Sequence, residues 1–135
     1  MKEEDKNLLL IDLCGRLPYG VKVEAETWLE DEGEFAYVPD KVYSINSDGY
    51  IVHGYDEVDE CKPYLFPLSS MTEEQKEEYR KVCELDTEIL SKHPMDGTPF
   101  PALYYSQDWL NKNHFDYRGL IEKGLAIDAT DKNIY

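Results

Sequence analysis

Three histidines, three cysteines and one run of acids are the residues here whose chemistry could go beyond packing. His53, His93 and His114 could serve as general bases or metal ligands, yet none stands in HExxH, HxH or a mixed Cys/His spacing. A general base also needs a nucleophile or a held water within hydrogen-bond reach. No GxSxG elbow, no GxxxxGK phosphate loop and no GxGxxG accompanies them. Cys14, Cys61 and Cys83 are odd in number and far apart, which suggests neither a disulfide framework nor a zinc site. Cys14 and Cys83 fall on the apolar faces of predicted helices and are expected to be core thiols. Asp56-Glu57-Val58-Asp59-Glu60 could offer oxygen ligands to Mg²⁺ or Ca²⁺. It lacks the Asp-x-Asp-x-Asp-Gly core and distal Glu of a calcium loop, and reads as a solvated loop. No catalytic, cofactor or metal residue is therefore assigned.

What remains is charge and aromatic content. Against 14 Lys+Arg stand 29 Asp+Glu, a formal net charge of -15 on 135 residues. Such a chain repels phosphate backbones and anionic lipid, so direct nucleic-acid or membrane binding is not expected. A basic protein partner is its natural complement, and solubility is the other use of the same charge. The chain is 41% hydrophobic and 13% aromatic, too apolar for a disordered acidic tail. Its aromatic residues are densest at Tyr104, Tyr105, Trp109, Phe115 and Tyr117. Trp109 and Phe115 are assigned to the core. Tyr104 and Tyr105 are adjacent, so in an extended segment they point to opposite sides and one is exposed. The short helices flanking Asn111-Lys112-Asn113-His114-Phe115 superficially suggest helix-turn-helix. The second of them offers only Arg118 and Lys123, beside Asp116 and Glu122, which is too little basic surface for a groove.

Elements that would position these residues follow from periodicity. Residues 3–17 predict a helix, with Leu10, Leu13, Cys14 and Leu17 inward and Glu3, Glu4 and Asp5 at the positive end of its dipole. Val21, Val23, Ala25, Thr27 and Leu29 alternate with Lys22, Glu24, Glu26, Trp28 and Glu30, which predicts a strand with one face inward. Glu30-Asp31-Glu32-Gly33-Glu34 is a solvated turn into a second strand, Phe35–Val38, which Pro39-Asp40 interrupts. A hairpin over Lys41–Tyr55 turns at Asn46-Ser47-Asp48-Gly49, with Asp-Gly favouring type I′. That register puts Tyr43, Ile45, Tyr50 and Val52 on one face, opposite Val42, Ser44, Ile51 and His53. Pro63 and Pro67 bracket the apolar Tyr64-Leu65-Phe66. Thr72 and Gln75 form a capping box for a helix with Tyr79, Val82, Cys83, Ile89 and Leu90 on its apolar side. That helix ends at His93-Pro94, and an irregular loop covers 94–101. Ser106 and Asp116 are candidate caps of two short helices, with Gly124 as an αL stop and Leu125-Ala126-Ile127 a last short strand.

The expected fold is a single α+β domain over residues 1–135. A three- or four-stranded antiparallel sheet is packed by the N-terminal helix and the central helix, with short C-terminal helices. No apolar run reaches the roughly 18 residues that span a bilayer, and Leu8–Ile11 is too short for a signal h-region, so a cytoplasmic location is expected.

Three stretches carry a resemblance: Asp12–Val21, Pro63–Thr72 and Asp108–Ile121. Together they resemble small uncharacterised proteins of gut Bacteroidales genomes, often in phage or mobile-element neighbourhoods. That group has no established activity, so no functional residue carries over. The resemblance implies an accessory protein acting by binding, inhibitors of host systems included. The leading expectation is a non-enzymatic acidic protein working through protein–protein contact. Its binding surface is Glu24, Glu26, Glu30, Asp31, Glu32 and Glu34, with Tyr104 and Tyr105 as aromatic anchors. The alternatives are a nucleic-acid mimic that inhibits a DNA-binding host protein, an enzyme with an unrecognised His/carboxylate site, and a structural phage component. No cofactor is expected, and the oligomeric state is left open.

Overall fold

The computed structural model describes residues 1–54, 56–92 and 105–135. Tyr55, His93, the 94–101 loop and Tyr104 lie outside the described residues. Helix α1 (Glu3–Arg16) leads into strands β1 (Lys22–Leu29), β2 (Glu34–Ile45), β3 (Ile51–His53), β4 (Asp56–Val58) and β5 (Lys62–Pro67). Helices α2 (Glu73–Ser91) and α3 (Tyr105–Lys112) come next, then the two-residue strands β6 (Phe115–Asp116) and β7 (Ile127–Asp128). The α+β class is as expected, but the sheet is larger: seven strands in the order β4-β3-β2-β1-β5-β6, with β7 also on β5. It is mixed, because β6 and β7 pair with β5 in parallel while the other pairs are antiparallel.

Val21, Val23, Val42 and Ile51 of the sheet meet Leu9 and Leu13 of α1 in the main core. A second cluster gathers Leu65 with Leu120, Leu125 and Ala126. The buried stripe of α1 is Leu9, Asp12, Leu13 and Arg16, rotated from the expected one, so Cys14 is exposed rather than a core thiol. Gly15 lets α3 come close: a Cβ there would meet Asn111 Nδ2 at 3.1 Å.

Strand β2 runs unbroken through Pro39, contrary to the expected interruption. Pro39 lies opposite Glu24, one residue out of phase with the Val42 N–H to Val21 C=O bond that joins the strands. Its missing N–H therefore faces away from β1 and breaks no ladder bond. The β2–β3 turn also differs from the type I′ expectation. Asn46 and Tyr50 close a three-residue loop with Gly49 at φ 82°, and neither Ser47 nor Asp48 has positive φ. That is the type I turn with a glycine bulge. A second irregularity between Val42 and Ser44 slips the register, so Val42 and Ile45 both turn inward. The expected faces are thereby mixed: Ile51 and His53 are buried beside Val42, while Tyr43 and Tyr50 are exposed.

The acidic 56–60 stretch is not all loop, since Asp56–Val58 forms edge strand β4 against β3. Exposed acids on an edge discourage pairing with other chains. The Thr72–Gln75 capping box forms as expected. Helix α2 does not cover the sheet, however. It packs on α3, with the Tyr79 and Trp109 rings 5.5 Å apart. Cys83 is half-buried there, and Leu90 is exposed. Ser106 does not cap α3; Asp86 of α2 accepts the N–H groups of Tyr105 and Ser106, both at 2.9 Å. Asp116 does collect N–H groups, from Arg118, Leu120 and Ile121, but the chain beyond it runs through a series of turns rather than a helix. Gly124 has the expected positive φ, and the last strand forms at Ile127–Asp128.

Candidate functional site

Among the described residues, the β1–β2 hairpin gathers three exposed aromatic side chains, Trp28, Phe35 and Tyr37. Its strands pair over eight residues, from Lys22↔Lys41 to Leu29↔Glu34. Neighbouring strands cover only its base. β5 pairs β1 at Val23 and Glu24, and β3 pairs β2 from Val42 onward. Beyond those points the hairpin is a two-stranded ribbon closed by the four-residue turn Glu30–Gly33. Val21, Val23 and Ala25 point into the protein, so Glu24, Glu26 and Trp28 take the opposite face. Their cross-strand partners on that face are Pro39, Tyr37 and Phe35. Trp28, Phe35 and Tyr37 are 50%, 63% and 67% exposed, and the Trp28 and Phe35 rings meet edge to face at 5.0 Å. Three large aromatics side by side in solvent are unusual for a surface that meets only water.

The charge around them is of one sign. From Val23 through Asp40 the chain holds seven acids, Asp40 included, and no Lys or Arg. Glu24 and Glu26 share the aromatic face, Glu30, Asp31 and Glu32 sit in the turn, and Glu34, opposite Leu29, points to the other face. The structure thus joins two of the six candidate acids to an aromatic cluster that sequence reasoning did not single out. Strand alternation places Trp28 beside the glutamates. That Phe35 and Tyr37 lie opposite them follows only from the hairpin register. Tyr105 is 42% exposed but belongs to α3, apart from the ribbon.

The titratable groups that could do chemistry are placed elsewhere. His53 Nδ1 lies 3.0 Å from Asp40 Oδ2, and the imidazole is buried. Among the described residues its one hydrogen-bond partner is this carboxylate, and no Ser, Thr or Cys is aligned with it as a nucleophile. His114 stacks on Tyr135, with ring centroids 3.5 Å apart. The Tyr135 hydroxyl accepts the Lys22 N–H at 3.0 Å and donates to Tyr64 O at 2.7 Å, pinning the last residue across β1 and β5. The hydroxyl end is enclosed although Tyr135 as a whole is 41% exposed, and burial pushes its pKa up to about 12. Burial likewise pushes the Cys61 thiol up to about 12, which keeps it protonated and unreactive. Four cavities of about 230 to 410 Å³ are lined by described residues, and no histidine is in their walls. Among the described residues no group of three or more His, Cys, Asp or Glu could hold a metal ion, and no helix is long and apolar enough to cross a membrane.

His114 supplies a test of this placement. Burial first, then the charges of Arg16 and Lys22, lowers its pKa from 6.5 to about 4. The folded state holds the ring neutral where the unfolded chain binds a proton. Stability is therefore full above about pH 6.5 and falls as pH drops toward 4, by up to about 3 kcal/mol. Replacing His114 by Asn, which tolerates its φ of 62°, should flatten the dependence of melting temperature on pH between 6.5 and 4. An unchanged slope in the variant would show that His114 is not the group responsible.

A second polar cluster is buried between α1 and the C-terminal segment. Arg16 grips Asp12 with Nε at 2.8 Å and Nη2 at 3.1 Å, and Nη2 also donates to Phe115 O at 2.6 Å. Arg118 Nε stands 3.3 Å from Asp12 Oδ1, close enough for charge attraction but without hydrogen-bond geometry. Asp12 and Arg16 are wholly buried, and through the Phe115 carbonyl the cluster joins α1 to the C-terminal segment.

No family model matches the chain, and no curated protein or solved structure is significantly similar to it.

Proposed function

We propose that this chain is a non-enzymatic binding protein and that the outer face of its β1–β2 ribbon receives a basic protein partner. One observation carries this: Trp28, Phe35 and Tyr37 lie exposed and adjacent in a segment whose only charges are negative. The aromatics provide desolvated contact area, and the acids orient and speed the encounter with positive charge. An accessory role in a mobile element is the setting attached to this reading, on the resemblance of the three sequence stretches alone.

A nucleic-acid mimic is less favoured. It needs carboxylates spaced along one surface like phosphates, and here Glu24 and Glu26 share a face while Glu34 points away. Other acids are scattered, with Glu73, Glu74, Glu77 and Glu78 exposed on α2 and Asp56 and Glu57 on β4. The His53–Asp40 pair without a nucleophile gives an enzyme reading little support.

The test is a titration with two eight-residue peptides, one alternating Lys and Val and the other alternating Glu and Val, followed by tryptophan emission and calorimetry. The Lys peptide is expected to bind, with affinity falling about tenfold between 0.05 and 0.3 M salt as the charges are screened. Equal binding of the two peptides, or affinity indifferent to salt, would defeat the proposal.

A further inference from the structure

We infer that the partner binds as an added β-strand along the outer edge of β1, pairing with the main chain of Glu26 and Trp28. It rests on the acidic-ribbon reading above and specifies how the partner is held.

Backbone direction identifies the edge. The Val42 N–H bonds to Val21 C=O, so odd-numbered residues of β1 turn their N–H and C=O groups toward β2. The even-numbered residues turn theirs the other way. Of these, the Lys22 N–H is taken by the Tyr135 hydroxyl, and Glu24 faces Lys62 of β5. β5 begins at Lys62 and reaches no further along β1, so Glu26 and Trp28 have no strand beside them among the described residues. An edge with free N–H and C=O groups templates another strand unless something blocks it.

The opposite edge of the ribbon is interrupted at its base. On β2 the outward-facing residues are Phe35, Tyr37, Pro39 and Lys41. Pro39 has no N–H, and the Lys41 N–H is already donated to its neighbour's carboxylate, Asp40 Oδ1, at 2.9 Å. Phe35 and Tyr37 keep free groups as well, but Pro39 separates them from β3, whereas Glu26 and Trp28 continue directly the line along which β5 already pairs with β1.

Charge names the occupant. A strand laid in line with β5 sets alternate side chains on the aromatic face, beside Glu26 and Trp28. At its β5 end lies a cavity of about 230 Å³ lined by Met1, Glu24, Tyr37, Glu60, Cys61 and Lys62. Two carboxylates, Glu24 and Glu60, stand in its wall. Carboxylates at Glu24, Glu26 and Glu60, with the Trp28 and Tyr37 rings between them, suit a segment carrying Lys or Arg at every second residue. The partner is therefore an extended basic segment rather than a folded basic surface.

Hydrogen exchange of the ¹⁵N-labelled protein, with and without the Lys/Val peptide, tests this directly. The Glu26 and Trp28 amides should exchange at least tenfold more slowly at saturating peptide, while those of Phe35 and Tyr37 stay unchanged. A peptide of the same sequence with alternate backbone nitrogens methylated cannot complete a ladder in that register. Prepared with each alternate set methylated in turn, one of the two versions should bind at least tenfold more weakly than the parent. Glu26→Pro should weaken binding similarly, and its circular dichroism reports whether the fold is kept. Equal binding of the parent and both methylated peptides, with no new protection, would overturn strand addition and leave the acidic-ribbon reading standing. Protection at Phe35 and Tyr37 instead would overturn the choice of edge. Failure of the unmodified Lys/Val peptide to bind at all would remove both.

Discussion

Asp12→Ala should lower the unfolding free energy by about 3–5 kcal/mol, the range for removing one partner of a buried ion pair. The side chain it deletes sits with no solvent exposure and holds Arg16 through two hydrogen bonds. Without it, the Arg16 guanidinium stays buried with a single acceptor, the carbonyl of Phe115. Arg118 loses its nearby counter-charge as well. Asp12→Asn keeps one acceptor and should cost less. Exchanging Asp12 and Arg16 together for Leu and Met should cost less than Asp12→Ala, because the wholly buried guanidinium is then gone and only the partly exposed Arg118 lacks its neighbour. Urea unfolding of the four proteins measures all three differences. A loss under about 1 kcal/mol for Asp12→Ala would mean that water reaches Arg16 and that the cluster is not holding α1 to the C-terminal segment.

The same pair shows where sequence patterning stops. A stripe drawn through Leu10, Leu13, Cys14 and Leu17 is the natural apolar reading of α1, and it is rotated from the true one. The buried stripe runs Leu9, Asp12, Leu13, Arg16, and two of those four positions are charged. Hydrophobic periodicity cannot reveal charges that neutralise each other in the core. The β1 alternation, the Thr72–Gln75 box and the positive φ of Gly124 were legible because each depends on residues within a few positions, although the helix that Gly124 was expected to end is a series of turns. β5 was not, since the prolines at its ends look like breakers until their neighbours are known. Pro63 faces Val23, one residue out of phase with Glu24 and Lys62. β6 and β7 are two residues long and exist only because β5 offers a parallel edge to both. Asp86 capping α3 is a contact across 19 residues that no local cap rule reaches. For the candidate site, the acids were legible and the aromatics beside them were not. Trp28 was in view as a polar-face residue, but Phe35 and Tyr37 join it only once the turn length is fixed at four residues.

That juxtaposition leads to the second large effect. Trp28→Ala should cost only about 1 kcal/mol of stability, because the ring is half exposed and its contact with Phe35 is a surface aromatic pair. On binding, the Lys/Val peptide would cover that ring, so the same change should weaken its affinity by about 30-fold, equivalent to about 2 kcal/mol at a central anchor. Tyr37→Ala should act in the same direction, since Tyr37 lies opposite Glu26 and lines the cavity at the β5 end. Tyr105→Ala is the contrast. Tyr105 is also an exposed aromatic, but it sits on α3, and its backbone N–H keeps its bond to Asp86 whatever the side chain. It should leave peptide affinity within about twofold. Calorimetric titration of the three variants, with melting curves alongside, separates folding from recognition. Equal losses for Trp28→Ala and Tyr105→Ala would deny the ribbon any special part. A loss confined to Trp28 and Tyr37, at nearly unchanged melting temperature, would tie recognition to the ribbon face, where exposed aromatic area and the carboxylates of Glu24 and Glu26 coincide.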